Sequence, residues 1–479
     1  MSPHAQTARL VAPSPRREIA RIAVPVSAEF VLTLVLNVVN QIVVGTLGAT
    51  AIAAVGFANS LTMILVLTLG AIGASVSILV ARAHGGGDET RLNQTVSAAL
   101  FLAGGVSVLA AVPILVWGES LMRLVGASET VAAAGGGYLS LAGLAVVPTV
   151  IGALFSGVLR STGRPRSPMV ATMATVGLNA ALAYLFVTGT GPFPELGVPG
   201  AGLATLITAS LKAGILAVQV FGIHRVVRWQ PPTGYASWWR VSRALVVLAL
   251  PLGITELFWT SGTFLYNVVF QQISDDALAA AQIVNMLESL FLVGSIGLMA
   301  ATTALVGREV GRGDGRGAAA WVRRIKKTGT VTGVAFGVLY GTTALVLPFL
   351  FHDTTDEVRT MATAGIALYA ISQVVKVRNM ILGAGVLPSA GDVRGVIFGD
   401  VVGAFVVGLP LAVVLGLHTP LGVVGVFAAR VIEELAKVVI FSRRTRRVRW
   451  DAVGTRSASA ERRAQPPVAR EVDELEQLA

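Results

Sequence analysis

The chain has 479 residues, of which 54% are hydrophobic and 13% charged, and its formal net charge is +11. A mean hydropathy of +0.73 excludes an ordinary water-soluble domain and makes lipid the solvent. The absence of cysteine excludes disulfide scaffolds, thiolate metal sites and cysteine nucleophiles.

Residues 1–21 are polar and carry Arg9, Arg16, Arg17 and Arg21; the apolar run that follows is too long for a cleaved signal peptide and reads as a retained first span. Apolar stretches able to cross about 30 Å of hydrocarbon, roughly 20 residues each, are predicted at 22–44, 51–80, 95–117, 131–159, 168–187 and 201–223. A polar linker, 224–243, precedes a second set at 244–270, 278–306, 328–350, 360–382, 396–415 and 422–441. The expected fold is all-α and integral to the membrane, with twelve transmembrane helices in two six-helix bundles over 22–223 and 244–442. A basic tail, disordered after Trp450, is expected over 443–479. The 53 glycines suit close helix approach in a bilayer, and equally a high-GC genome.

The placement of positive charge decides between nucleic acid and membrane as the partner of a chain with pI near 10.6. Of 37 Lys and Arg, 30 lie in the termini and in the loops after even-numbered spans, two (Arg123 and Arg359) lie in the opposite loops, and five lie inside spans. This bias predicts a multi-pass protein of a bacterial plasma membrane with both termini cytoplasmic, and no nucleic-acid role. Arg443, Arg444, Arg446, Arg447 and Arg449 read as a stop-transfer and lipid-headgroup anchor.

One unit is used twice, at an offset of about 226 residues. Ala23-Val-Pro-Val-Ser-Ala-Glu29 pairs with Ala249-Leu-Pro-Leu-Gly-Ile-Thr-Glu256, and the loop from Leu79 through Arg82 to Asp88 pairs with that from Leu305 through Arg308 to Asp314. Gly157 to Arg166 pairs with Gly385 to Arg394, and Gly197 through Lys212 with Gly422 through Lys437. Because each unit has an even number of spans, the halves are predicted to be related by a pseudo-twofold axis along the membrane normal, enclosing a cavity that rocking exposes to either side in turn.

These residues resemble the multidrug and toxic compound extrusion (MATE) family over 19–450. Asn40-Gln-Ile-Val-Val-Gly45-Thr-Leu-Gly48 is similar to the family's end of the first helix, and Gly157 to Arg166 to its loop after the fourth. Leu196-Gly-Val-Pro-Gly-Ala-Gly-Leu-Ala-Thr205 is similar to the start of its sixth helix, and Ala279-Ala-Ala-Gln282-Ile-Val-Asn285 to its eighth. The Asp-Arg-x-Gly-Arg-Arg loop of the major facilitator superfamily is missing, with Gly85-Gly-Gly-Asp88 in its place. The resemblance implies an antiporter that expels organic, often cationic, compounds using a Na+ or H+ gradient, without a cofactor. It also shows departures at the coupling carboxylates. Asn40 stands for the usual Asp, Ala183 for the fifth-helix Asp four residues after Asn179, and Gln373 for the tenth-helix Asp four residues after Tyr369. Trp259 stands where the seventh-helix Glu is expected, with Glu256 about one turn earlier.

An ionised carboxylate near the bilayer centre costs roughly 2.5–3.5 kcal/mol on insertion scales, so each needs a partner, water or a proton. The spans hold Glu29, Glu256, Glu288, Asp400, Glu433 and Glu434, with Lys212, Lys376, Arg378, Arg430 and Lys437. Arg430 and Glu434, and Glu433 and Lys437, are four apart and read as a structural network of local pairs. Asp400, near the start of its helix, either snorkels or binds the coupling cation. Glu288, a further candidate to bind the coupling cation, continues a polar stripe through Gln282 and Asn285 that lines a cavity or joins helices. Glu256 and Glu29 follow helix-bending prolines at matching places in the two repeats and have no base at i±4, which makes them the leading cation-coupling candidates beside hydrogen-bonded structural carboxylates. Asn40, Asn179, Tyr369 and Gln373 are candidates to line the cavity or pack helices.

The expected function is cation-coupled efflux of small organic compounds by a monomer, with membrane lipid as its other partner. A lipid-linked oligosaccharide flippase stays open through Lys212, Lys376 and Arg378, which suit a basic cavity. A membrane enzyme finds little support in five histidines and no acid–base cluster, and no metal site is expected.

Overall fold

A computed structural model describes residues 14–351 and 354–453. Its described residues form twelve long helices in the order α1 (Pro15–Gly45), α2 (Ala49–Gly86), α3 (Glu89–Leu124), α4 (Glu129–Ser161), α5 (Arg166–Thr188), α6 (Val198–Ile223), α7 (Tyr235–Ile273), α8 (Asp275–Gly311), α9 (Gly315–Leu350), α10 (Asp356–Ala390), α11 (Val393–Leu417) and α12 (Gly422–Arg447). The first eleven are long and apolar enough to cross a membrane. The twelfth carries Arg430, Glu433, Glu434 and Lys437, which lower its hydropathy.

Helix ends run past the apolar windows. α1 starts at Pro15, inside the segment read as a separate polar arm; α7 starts at Tyr235, inside the linker; and α12 continues through Arg447, inside the basic tail. Hydropathy marks the part of a helix that matches hydrocarbon, whereas the backbone ladder continues into the headgroup region until a cap or a special dihedral ends it. Proline in the first turn of α1 fits, because its missing N–H has no intrahelical acceptor there. The expected disordered tail after residue 453 and the first 13 residues lie outside the described residues.

The duplicated loops repeat in backbone geometry. Gly87 and Gly313 both turn with φ 75°, in the left-handed region that favours glycine, and the following Asp88 and Asp314 each accept a backbone N–H at 2.8 Å, from Arg91 and Gly317, to start α3 and α9. The helices preceding these loops cross reciprocally. A Cβ on Gly85 would stand 2.0 Å from the Arg308 carbonyl oxygen, and one on Gly311 would stand 1.9 Å from that of Arg82. Arg82 and Arg308, like Gly85 and Gly311, are 226 residues apart, so this crossing lies on the pseudo-twofold axis relating the halves.

Near this crossing the bundles share cores. Ile19, Ile22, Ala23 and Val26 of α1 pack with α8, α9 and α10 of the second half, while Leu245 and Ala249 of α7 pack with α2, α3 and α4 of the first. Polar bonds reinforce the junction: Arg82 Nη2 donates to the carbonyls of Ser389 (2.7 Å) and Pro388 (3.3 Å), Arg308 Nη2 to Glu18 Oε1 (2.7 Å), and Ser27 Oγ to the Val293 carbonyl (3.2 Å). At the other ends of the same helices the cores separate. One cluster draws only on the first half, from Val43 to Ala204, and another only on the second, from Tyr266 to Ala429. The bundles are therefore joined at the face that carries Pro15 and Arg447 and splayed at the opposite face.

Candidate functional site

Each bundle buries a polar site, and the two differ in charge. In the first half Glu29 of α1 is 6% exposed, and its Oε1 accepts from Lys212 Nζ of α6 (3.2 Å) and Thr172 Oγ1 of α5 (3.4 Å). Arg160 Nη1 of α4 stands 3.8 Å from Oε2. The missing local base is thus supplied by tertiary packing, from residues more than 130 positions away. Further along the same helices Asn179 donates to Thr208 Oγ1 (2.8 Å), while its own Oδ1 and that of Asn40 are buried without a hydrogen-bond partner among the described residues. Ala183 fills the core there with Val39 and Val43.

In the second half the acids and bases form a chain across five helices. Glu288 of α8 pairs with Lys376 of α10 and accepts from Gln373 Nε2 (2.9 Å). The Lys376 ammonium lies 4.1 Å over the ring of Tyr369, whose buried hydroxyl has no hydrogen-bond partner among the described residues. On α12, Glu433 pairs with Lys437 at 2.5 Å, as its spacing predicts, and also accepts from Tyr266 Oη of α7 at 2.7 Å. Lys437 reaches on to Asp400 of α11 (3.8 Å) and to Glu434 (4.0 Å).

The expected Arg430–Glu434 pair is not formed. Arg430 instead stacks 4.6 Å over the Tyr266 ring, and Glu434 Oε2 accepts from Asn379 Nδ2 of α10 at 2.7 Å. Tertiary partners outcompete the local one because both side chains face inward among helices, where an aromatic face and an amide are already in place. Nor does Asp400 snorkel: it turns toward Lys437 in the bundle interior. The polar stripe on α8 also divides, with Gln282 exposed, Asn285 half-buried and only Glu288 within the network.

Glu256 differs from all of these. It is half-buried in the middle of α7, and its carboxylate has no hydrogen-bond or ion-pair partner among the described residues. Among the described residues the charge that acts on it is that of another carboxylate, Asp400. Glu29 and Glu256 are also not strictly equivalent. They follow their prolines by four and five residues, and one residue turns a helix by about 100°. In sum, the spans of this half set Glu256, Glu288, Asp400, Glu433 and Glu434 against Lys376, Arg378, Arg430 and Lys437, an excess of one negative charge if all are ionised.

Backbone irregularity makes room for this chain. α10 and α11 each contain a π-helical turn, at Met380–Val386 and Val402–Gly408, a form that often marks functional sites. In the second, a Cβ on Gly403 would meet Lys437 Cγ at 2.5 Å and one on Gly408 would meet Tyr266 Oη at 2.2 Å. Tyr266, Asp400, Arg430, Glu433, Glu434 and Lys437 surround a cavity of 20 Å³, about one water or one desolvated monovalent cation in size. Tyr266, Asn379 and the two glycines were not singled out from the sequence; the available signal was a hydroxyl and an amide within spans that otherwise hold few polar groups.

Comparison with known proteins gives a consistent result. The MatE family model matches residues 25–185 and 251–414, two stretches that begin 226 residues apart. The chain is 28% identical over 431 residues to a probable multidrug resistance protein NorM of Bradyrhizobium diazoefficiens, covering 86% of this chain and 88% of that one. It is 29% identical over 411 residues to the multidrug resistance protein MdtK of Pectobacterium atrosepticum, covering 84% and 88%. Among solved structures, a MATE protein in its bent conformation superposes with a TM-score of 0.84 at 20% identity, over 93% of this chain and 97% of that one. An outward-facing MATE family transporter of the MOP superfamily superposes with a TM-score of 0.83 at 21% identity, over 92% and 97%. With the family model spanning most of both repeats and the fold superposing over more than nine-tenths of the chain, this multi-pass membrane protein belongs to the MatE, or multidrug and toxic compound extrusion, family.

Proposed function

We propose that the protein exports small organic cations or amphipathic compounds by alternating access, driven by inward movement of Na+ or H+, and that the coupling cation loads at Glu256 with Asp400 as its neighbour. The observation that carries this reading is the unbalanced carboxylate of Glu256 within a span. Such a group is tolerated in hydrocarbon only with a proton, a cation or water beside it, so it exchanges what the paired acids cannot. Export follows if a cationic solute and the ion draw on the same negative excess, so that loading one disfavours the other. The names of the NorM and MdtK relatives support multidrug compounds as the substrate class. The bias of 30 basic residues to the termini-bearing side supports a cytoplasmic location for the joined face, with the splayed face external.

A flippase would need a free basic cavity. Lys212 and Lys376 are both committed to carboxylates, which removes much of the support for that reading.

The test is efflux from proteoliposomes under an imposed Na+ or H+ gradient, for the parent chain, Glu256→Gln and Asp400→Asn. Gradient-dependent efflux by the parent chain should fall to the uncoupled level in Glu256→Gln while the protein remains folded. Unchanged coupled efflux in that variant would remove Glu256 from the mechanism.

A further inference from the structure

Where α12 leaves the bundle, a groove of 790 Å³ opens between its last turns and the loop joining α10 to α11. Four guanidinium groups line it, from Arg443, Arg444, Arg447 and Arg449. Arg444 is neutralised: its Nη1 lies 3.3 and 3.2 Å from the two carboxylate oxygens of Asp392, and its guanidinium stacks 5.4 Å over Phe398. Arg443, Arg447 and Arg449 are exposed, and Asp392 is the one carboxylate among the described residues that line the groove. Four lining arginines against one lining carboxylate give the groove wall an excess of positive charge.

Its other wall is apolar. Phe398, on the first turns of α11, is 50% exposed, and Ile440 and Val448 complete the surface. Because α11 begins at Val393 and α12 ends at Arg447, the groove lies where hydrocarbon gives way to headgroups. A small soluble anion would use the arginines and leave the apolar wall bare. A phosphodiester carrying acyl chains uses both, with its phosphate on the forked donors and its glycerol and first methylenes on Phe398 and Ile440.

We infer that this groove is a binding site for the headgroup of an acidic glycerophospholipid in the leaflet bordering the termini-bearing face. Basic pockets between transmembrane helices recognise such headgroups, and each nearby arginine contributes about five-fold in affinity. The site also adjoins the junction between bundles. Its loop includes Gly391, two residues after the Ser389 carbonyl that receives Arg82 from the other half.

The test is native mass spectrometry of the delipidated full chain titrated with phosphatidylglycerol, with phosphatidylcholine and soluble glycerol 3-phosphate as parallel arms. The parent chain should bind phosphatidylglycerol in preference to phosphatidylcholine. Arg447→Gln should weaken phosphatidylglycerol binding about five-fold. Arg446→Gln, the same charge change on the same helix but outside the groove, should alter it less than two-fold. Equal losses from Arg446→Gln and Arg447→Gln would overturn the site in favour of general attraction to a basic helix. Glycerol 3-phosphate binding as tightly as the lipid would overturn the lipid assignment in favour of a soluble phosphate. A thermal unfolding midpoint for each variant in detergent separates lost binding from lost folding.

Discussion

Glu29 stands between two cations and Glu256 faces none, so the same substitution has opposite consequences at the two positions. Glu29→Gln leaves the half-buried Lys212 and Arg160 around a neutral amide, which costs less than the roughly 3–5 kcal/mol of breaking a fully buried pair by removing one partner. Its thermal unfolding midpoint in detergent should fall, and a Glu29→Gln/Lys212→Met double variant should recover part of the loss. Glu256→Gln removes a charge that nothing balances and should leave the midpoint unchanged or raise it. A drop as large as that of Glu29→Gln would mean that Glu256 has a structural partner. Lys437 lies within reach of three carboxylates, so Lys437→Met leaves all three without their shared base and should destabilise more than any other single removal of a base from the network.

At the level of the helix, the π-helical turn at Val402–Gly408 lets α11 approach α7 and α12 without displacing the Tyr266 hydroxyl from Glu433. Gly408→Ala would put a methyl group 2.2 Å from that hydroxyl, an overpacking that costs about 1–3 kcal/mol. Its thermal midpoint should fall, and Tyr266→Phe combined with it should restore part of the stability, since the closest of the clashes is with that oxygen and the others, with Glu433, remain. Such a turn leaves little trace in sequence, because Gly-rich apolar stretches also occur in regular helices here. What the sequence did show at this scale came from long-range regularity: spans of about 20 apolar residues stand out over their whole length, and the duplicated Asp88 and Asp314 caps sit in loops where apolar similarity cannot arise by chance. Local spacing identified Glu433 with Lys437 but misjudged Arg430 and Glu434, because Tyr266 and Asn379 come from helices far away in sequence. The same reason hid the partners of Glu29. Helix ends were misplaced wherever the ladder outran the hydrocarbon, as at Pro15, Tyr235 and Arg447.

At the scale of the molecule, two bundles meet at one face and part at the other, and reversing that geometry requires separating the α2–α8 crossing and releasing Arg82 from the Pro388 and Ser389 carbonyls. Gly311→Ala and Arg82→Gln should therefore favour the opposite arrangement rather than unfold the chain. The natural absence of cysteine makes this directly measurable. Ser27→Cys places one thiol between the bundles, and its labelling by an impermeant maleimide should rise several-fold in the Gly311→Ala background. Unaltered labelling would show that the crossing does not control the junction. The crossing also ties the histories of the two halves together. Gly85 gives clearance to the backbone of one copy and Gly311 to that of the other, so a methyl group acquired by either wedges both. The ancestral unit has diverged so far that nearly all its intramembrane acids now lie in the second copy, yet at this one point neither half is free to drift alone.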